Sequence, residues 1–105
     1  MHPDRVSREH LVSLTDLPNI GPSLAGSLRL AGITQPTDLV GADAYALYDR
    51  LAEVTGERHD PCVLDTFISV VRFMDGEEAQ PWWAYTAERK RVLASRDFTE
   101  SRPRP

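Results

Sequence analysis

The string "RHDPC", residues 58–62, holds the residue types best suited to covalent chemistry. His59 lies three positions before Cys62 and could act as a base toward its thiol. If a helix begins at Pro61, Cys62 falls in its first turn, where the helix dipole favours a thiolate. These residues therefore allow a nucleophilic or redox thiol, and His59, Cys62 and Asp65 allow a metal site with an incomplete ligand set.

The same string also has a purely structural interpretation. Asp60 suits a helix N-cap, Pro61 suits the first helical position, and Cys62 can be a small buried side chain. A metal site needs three or four ligands, yet the other two histidines, His2 and His10, lie near the N-terminus. We therefore predict no metal, no cofactor, no catalytic residue and no small-molecule substrate.

Three large aromatic residues, Trp82, Trp83 and Tyr85, occur within four positions after Pro81. They cannot all face one core, so at least one should be exposed. An exposed tryptophan would mark a partner site, either for base stacking or as an anchor for a protein. The alternative is that Trp82 or Trp83 folds back to cover a buried helix.

The stretch "LTDLPNIGPSLAGSLRLAGI", residues 14–33, predicts an anion site at a turn before a helix. Consecutive backbone N–H groups and the helix dipole both favour a phosphate oxygen there. Gly21 would allow close approach, and the N–H groups of Ser23 and Leu24 with the Ser23 hydroxyl would hold the phosphate. The residues predicted to contact nucleic acid are Asn19, Ile20, Gly21, Pro22, Ser23, Leu24 and Arg29.

The elements that must position these residues are predicted to be short helices between strong stop signals, with almost no alternation typical of strands. We expect an all-α bundle of five to six short helices, with a C-terminal helix and a disordered tail. Residues 1–95 should form one helical domain, with a core at 7–56 and added helices at 60–95, before a flexible tail at 96–105. The expected helices run from Ser7 to about Asp16, Pro22 to Ala31, briefly at Pro36, from the Asp43 cap to Gly56, from the Asp60 cap to Met74, and from about Trp82 to Ser95.

The hairpin residues 17–33 resemble the helix-hairpin-helix motif, whose turn reads hydrophobic, Gly, hydrophobic, Gly and which binds DNA backbone without reading sequence. Asn19 stands where the first glycine is usual, and it tolerates the left-handed region. The second hairpin, "LVGADA", places Asp43 where a phosphate would dock and so would repel it. The resemblance implies a tandem helix-hairpin-helix fold with one hairpin able to bind.

Over roughly residues 13–92 the chain resembles the small bacterial pathogenicity-locus family, whose members carry helix-hairpin-helix or mitomycin resistance names. The strings "RHDPC" and "PWW" carry this resemblance. The hairpin is also similar to the C-terminal domains of the TfoX competence regulators and of the RNA polymerase α subunit. In the polymerase domain the same architecture serves both DNA contact and regulator contact, so fold alone does not choose between them.

The net charge of the chain argues against tight binding of nucleic acid. The 105 residues carry a net charge of -4, and residues 14–87 hold eleven acidic side chains against four arginines. DNA binding is supplied largely by lysine and arginine, so only a local patch could serve. The candidates for that patch are Arg29, Arg89, Lys90, Arg91, Arg96, Arg102 and Arg104.

The sequence therefore predicts a non-enzymatic module that binds the DNA backbone weakly and non-specifically, as an accessory to DNA repair or resistance. A protein–protein interaction module is the first alternative, and thiol-dependent activity at Cys62 is the second. The chain has one cysteine, a charged N-terminal segment and no apolar run of membrane-spanning length. We expect a cytoplasmic protein without membrane contact.

Overall fold

The computed structural model describes the backbone of residues 2–100 and the side chains of 2–4 and 6–96. All regular structure in that range is helical, with no strand, which confirms the predicted all-α class. The α-helices of this range are α1 (Pro22–Leu30), α2 (Ala44–Thr55), α3 (Pro61–Met74) and α4 (Thr86–Glu100). Short 3-10 turns lie at Pro3–Arg5, Arg8–His10, Leu14–Asp16, Pro36–Leu39 and Trp82–Tyr85.

Helix α3 lies at the centre of the fold, and apolar side chains cover most of its circumference. It packs against α2, α4 and the 3-10 turns at 36–39 and 82–85. Its predicted start is confirmed, because the Asp60 side chain accepts a hydrogen bond from the Cys62 N–H at 3.0 Å and Pro61 is the first helical residue. The residues of α3 that are buried are Leu64, Asp65, Thr66, Phe67, Ile68, Ser69, Val70, Val71 and Phe73.

Helix α2 also begins and ends at predicted residues. The Asp43 carboxylate accepts hydrogen bonds from the N–H groups of Tyr45 at 2.9 Å and Ala46 at 3.3 Å. The helix stops at Gly56, which has the left-handed φ of +74° that glycine adopts most readily. Local capping chemistry is enough to define this helix.

The predicted helix from Ser7 to Asp16 is wrong, because two separate 3-10 turns occupy that segment. The Asp16 carboxylate accepts hydrogen bonds from the N–H groups of Val12 and Ser13 at 3.0 and 2.9 Å, which stabilises a tight turn in place of a continuous helix. The Arg8 guanidinium donates to backbone carbonyls at the end of α3 and lies 3.9 Å from the centre of the Phe73 ring. Contacts with α3 therefore set the path of the N-terminal segment.

The bounds of the remaining elements also differ from the prediction. The helix expected at Pro36 is a 3-10 turn, and the one expected from Trp82 begins as a 3-10 turn and continues as α4 to Glu100. Residues 96–100 of the predicted tail are thus helical, and Arg96 forms an ion pair with Asp49 on α2 at 3.1 Å. Residues 101–105 of that tail lie outside the described range.

A buried ion pair joins α3 to α4. Asp65 has no exposed surface, and its carboxylate accepts hydrogen bonds from Arg89 Nε at 2.8 Å, Arg89 Nη2 at 3.3 Å and Thr86 Oγ1 at 2.8 Å. The hydrogen bond with Asp65 raises the pKa of Arg89 above its ordinary value. A second pair, Arg72 with Glu88, adds two hydrogen bonds of 2.8 and 2.7 Å between the same helices.

Candidate nucleic-acid interface

The hairpin before α1 divides into a buried and an exposed half. The side chains of Leu17, Pro18 and Ile20 are buried in the core, while Gly21 and the residues after it, Pro22 and Ser23, are exposed. The predicted contact residue Ile20 can therefore offer only its backbone to a ligand. The exposed half is the start of α1, where a phosphate was expected to bind.

Asn19 holds the turn in place. It has a φ of +66°, so the left-handed conformation expected of it is confirmed. Its Nδ2 donates hydrogen bonds to Ser69 Oγ on α3 at 3.1 Å and to the Gln80 carbonyl at 2.8 Å. The amide of Asn19 thus faces the protein, and its part in the candidate site is to position the hairpin.

The first turn of α1 presents free backbone donors. Within the described part of the chain, the N–H groups of Ser23 and Leu24 have no hydrogen-bond partner, as expected of a helix start without a side-chain cap. A Cβ added at Gly21 would meet no atom within 4 Å, and its φ of -95° is open to any residue. Gly21 therefore leaves space in front of these donors and is not required by the backbone conformation.

The two tryptophans lie beside this turn. Trp83 is 63% exposed and Trp82 36% exposed, whereas Tyr85 is the member of the aromatic group that joins the core. The indole rings meet edge to face, with centroids 5.5 Å apart and planes at 84°. The prediction that at least one tryptophan is exposed is confirmed.

The hairpin and the tryptophans form one surface cavity of about 590 Å³, which we call the tryptophan groove. Its lining residues are His2, Pro3, Asp4, Asn19, Gly21, Pro81, Trp82 and Trp83. Two sites that sequence patterns predicted separately are thus adjacent in space. No pattern in the sequence points to His2, Pro3 and Asp4, because nothing local indicates that the N-terminus crosses this surface.

Ion pairs within the protein occupy two of the five described members of the predicted basic patch. Arg89 is held by buried Asp65 and Arg96 by Asp49, so neither guanidinium stands free for phosphate as predicted. Lys90 and Arg91 are exposed on α4 and form no ion pair with the described residues. The two last arginines of the patch, at positions 102 and 104, lie outside the described residues.

The other charges near the hairpins are also unfavourable or distant. Arg29 is exposed but lies near the end of α1, about 10 Å along the helix axis from its start. At the second hairpin, Asp43 already occupies the amides that begin α2, in agreement with the expectation that this hairpin cannot hold a phosphate. Only the first hairpin leaves its helix start open.

The residues of "RHDPC" are not arranged for thiol chemistry. Burial raises the pKa of the Cys62 thiol, and hydrogen bonding and charge from Asp60 raise it further, which argues against the thiolate that a helix start would favour. His59 Nε2 lies 2.8 Å from Thr55 Oγ1, and no hydrogen bond joins His59 to Cys62 among the described residues. Asp65, the third candidate metal ligand, is held by Arg89.

The described residues also bear on metal binding and on membrane insertion. They contain no group of three or more His, Cys, Asp or Glu side chains placed to hold a metal ion. None of their helices has the length and apolar character needed to cross a membrane. The tryptophan groove and the adjoining start of α1 bring exposed indole rings and free backbone N–H groups together on one surface.

Fold and site together define a small all-helical protein with a surface groove between a hairpin and an aromatic pair. The family described as "Pathogenicity locus" matches residues 7–91, and the chain belongs to that family. It is similar to the mitomycin resistance protein McrB of Streptomyces lavendulae, with 47% identity over 81 residues that cover 77% of each chain. No solved structure matches the chain.

Proposed function

We propose that this protein is a non-enzymatic accessory module that contacts the phosphate backbone of nucleic acid through the first hairpin, of helix-hairpin-helix type, and the start of α1. The observation that carries the proposal is the pair of free N–H groups at Ser23 and Leu24 in the first turn of α1, next to exposed Gly21. Such donors and the helix dipole attract an anion. Backbone contact of this kind carries no sequence information, so binding is non-specific.

The charges of the described residues make this contact weak. Of the patch that the sequence suggested, Arg89 and Arg96 are bound to carboxylates of the same chain. The cations left exposed among the described members, Arg29, Lys90 and Arg91, are few against the acidic body. Fewer phosphate-bound cations mean fewer released counterions and lower affinity.

The similar protein of Streptomyces lavendulae carries mitomycin resistance in its name. We extend that association to this chain as part of the proposal, as an accessory role in resistance or DNA repair in the cytoplasm. The hairpin contact would bring the protein to nucleic acid without chemistry of its own.

Binding of a labelled duplex and a labelled single strand, each at about 50 mM and 200 mM salt, tests the proposal. The informative pair of variants is Gly21→Asp and Gly21→Asn, because position 21 has room for either side chain. The two side chains have nearly the same shape but only aspartate is charged, and both residues suit an N-cap. Gly21→Asp should weaken binding more than Gly21→Asn, because its carboxylate occupies the anion site.

Two results would contradict the hairpin contact. One is the absence of binding to either nucleic acid at about 50 mM salt, where electrostatic binding is strongest. The other is equal affinity of the two Gly21 variants and the unaltered protein. Circular dichroism of each variant shows that α1 and the remaining helices are intact.

A protein–protein interaction module is the second candidate function, and two observations favour it. Exposed Trp83 is the residue type most often found as a binding anchor, and Asp4 adds an acidic group to the tryptophan groove. This candidate predicts no binding to nucleic acid together with loss of a protein complex in the Trp83→Ala variant. Thiol-dependent activity has no comparable support, because the pKa of Cys62 is raised.

A further inference from the structure

The tryptophan groove combines three features that a nucleotide would need. It has aromatic surface from two indoles, it borders the free donors at the start of α1, and its volume of about 590 Å³ is within the usual range for ligand pockets. Both tryptophans of the sequence lie in it. A ring and an anion can therefore bind side by side on this surface.

The N-terminal wall of the groove adds a hydrogen-bond acceptor. The Asp4 side chain is 89% exposed, and its Oδ2 lies 3.6 Å from His2 Nδ1. The backbone N–H of Asp4 donates to the same His2 nitrogen at 3.2 Å, so the two residues form one local turn. An ionised carboxylate at this position only accepts hydrogen bonds, and it would bind an amino group.

We propose that the tryptophan groove binds one unpaired nucleobase of a single strand, with the base stacked on Trp83 and its exocyclic amino group donating to the Asp4 carboxylate. This inference rests on the proposed function, because the phosphate of the same strand lies at the start of α1. It names the substrate class, an unpaired strand, and a base preference. Cytosine, adenine and guanine carry an exocyclic amino group, whereas thymine does not.

A cationic side chain is the other occupant that indoles and a carboxylate could attract. The start of α1 argues against it, because Gly21 lines the groove and the helix dipole places partial positive charge there. A neutral base with a neighbouring phosphate satisfies the indoles, the carboxylate and the amides together. The backbone amides at the start of α1 would repel a cation.

Stacking also offers a way for an acidic protein to bind a strand. Each base stacked on an aromatic side chain adds binding energy that needs no lysine or arginine, unlike contact with phosphate. The scarcity of free cations among the described residues is therefore less of an obstacle for a single strand than for a duplex. Binding should depend on salt less steeply than it does for proteins with many phosphate contacts.

Tryptophan fluorescence reports on this groove alone, because both tryptophans of the chain line it. We would titrate the full chain with oligo(dC), oligo(dT) and a duplex of matched length at neutral pH and low salt. Oligo(dC) should quench the fluorescence and bind several-fold more tightly than oligo(dT), and the duplex should quench little. The Asp4→Asn variant should lose the preference for oligo(dC), because an amide can also donate to thymine.

The Trp83→Ala variant should lower the affinity for oligo(dC), measured by anisotropy of labelled strand, by roughly 5- to 100-fold. Val54→Ala is the matched control, because Val54 is an exposed apolar residue on α2 and away from the groove. Circular dichroism of both variants shows whether they fold alike.

Four outcomes separate this inference from the proposed function. Quenching by oligo(dC), loss of affinity in Trp83→Ala and loss of preference in Asp4→Asn together support the base site. Duplex binding that Gly21→Asp weakens but Trp83→Ala leaves unchanged overturns the base site and keeps the hairpin contact. No binding of any strand overturns both. Quenching by an arginine-rich peptide and not by oligo(dC) assigns the groove to a cation and overturns the base site.

Discussion

Replacing Arg89 by alanine should lower the free energy of unfolding by about 3 kcal/mol. Arg89 supplies two of the three hydrogen bonds that the buried Asp65 carboxylate accepts, and only the Thr86 hydroxyl would remain. Removing one partner of a buried ion pair typically costs about 3–5 kcal/mol, because the other charge stays buried. We take the lower end, because the Arg89 side chain keeps 14% of its surface exposed.

A domain of this size has a total stability of roughly 5–15 kcal/mol, so this loss is large. It corresponds to a fall in Tm of about 12 °C or more, at roughly 4–8 °C per kcal/mol. The assay is urea unfolding followed by tryptophan fluorescence and circular dichroism. Lys90→Ala is the matched control, since Lys90 is exposed on the same helix and its loss should change stability by less than about 0.5 kcal/mol.

A double variant separates the lost pair from a general loss of packing. With Asp65→Asn added to Arg89→Met, no buried charge is left unpaired, and the double variant should be more stable than Arg89→Met alone. If Arg89→Ala and Lys90→Ala unfold within about 0.5 kcal/mol of each other, Arg89 is not held by Asp65. Its charge would then be available for phosphate, as the sequence suggested.

Four further predictions concern two helix starts, the cysteine and the response to acid. Gly21→Asp should unfold at the same Tm as the unaltered protein or slightly above it, because an acidic N-cap suits α1. A clear fall in Tm would contradict the finding that position 21 has room for a side chain. Asp43→Ala should lose about 1 kcal/mol in urea unfolding, because two N–H groups of α2 lose their acceptor, and an unchanged midpoint would argue against the cap. Cys62 should react with a thiol reagent at pH 7 more slowly than a free cysteine, since burial raises its pKa; faster reaction would restore the thiol hypothesis. Backbone hydrogen bonds lower the pKa values of Asp16 and Asp38, so the stability that these two carboxylates contribute is present above their unfolded pKa and is lost as pH falls below about 4. The Tm, measured from pH 7 to pH 3, should therefore fall. A variant with asparagine at both positions should show a shallower fall.

Helix starts were predictable because capping is local. Asp43 and Asp60 accept hydrogen bonds from amides two or three positions away, and Pro22 is the first residue of α1, so the structure begins α1, α2 and α3 as predicted. The segment before residue 17 was not predictable in the same way. Its path depends on Arg8, which donates to carbonyls 65 and 69 positions later in the chain.

The candidate site was predictable in its parts but not in its assembly. Gly21 and the tryptophans were identified from turn chemistry and aromatic density, but no local pattern places residues about sixty positions apart on one surface. Asp65 did offer a signal, because an acidic residue inside the most apolar helix requires a buried partner. That signal predicts a basic partner for Asp65 on the next helix.

The two hydrogen bonds of Asn19 make the groove preorganised. They connect the hairpin to α3 and to the Gln80 carbonyl, one residue before Pro81 at the groove wall, so the spacing between hairpin and tryptophans is set before any ligand arrives. A ligand that spans both parts then loses less conformational entropy on ordering its site. Asn19→Gly would keep the left-handed turn but release both connections, and the two halves of the groove could then move independently of each other.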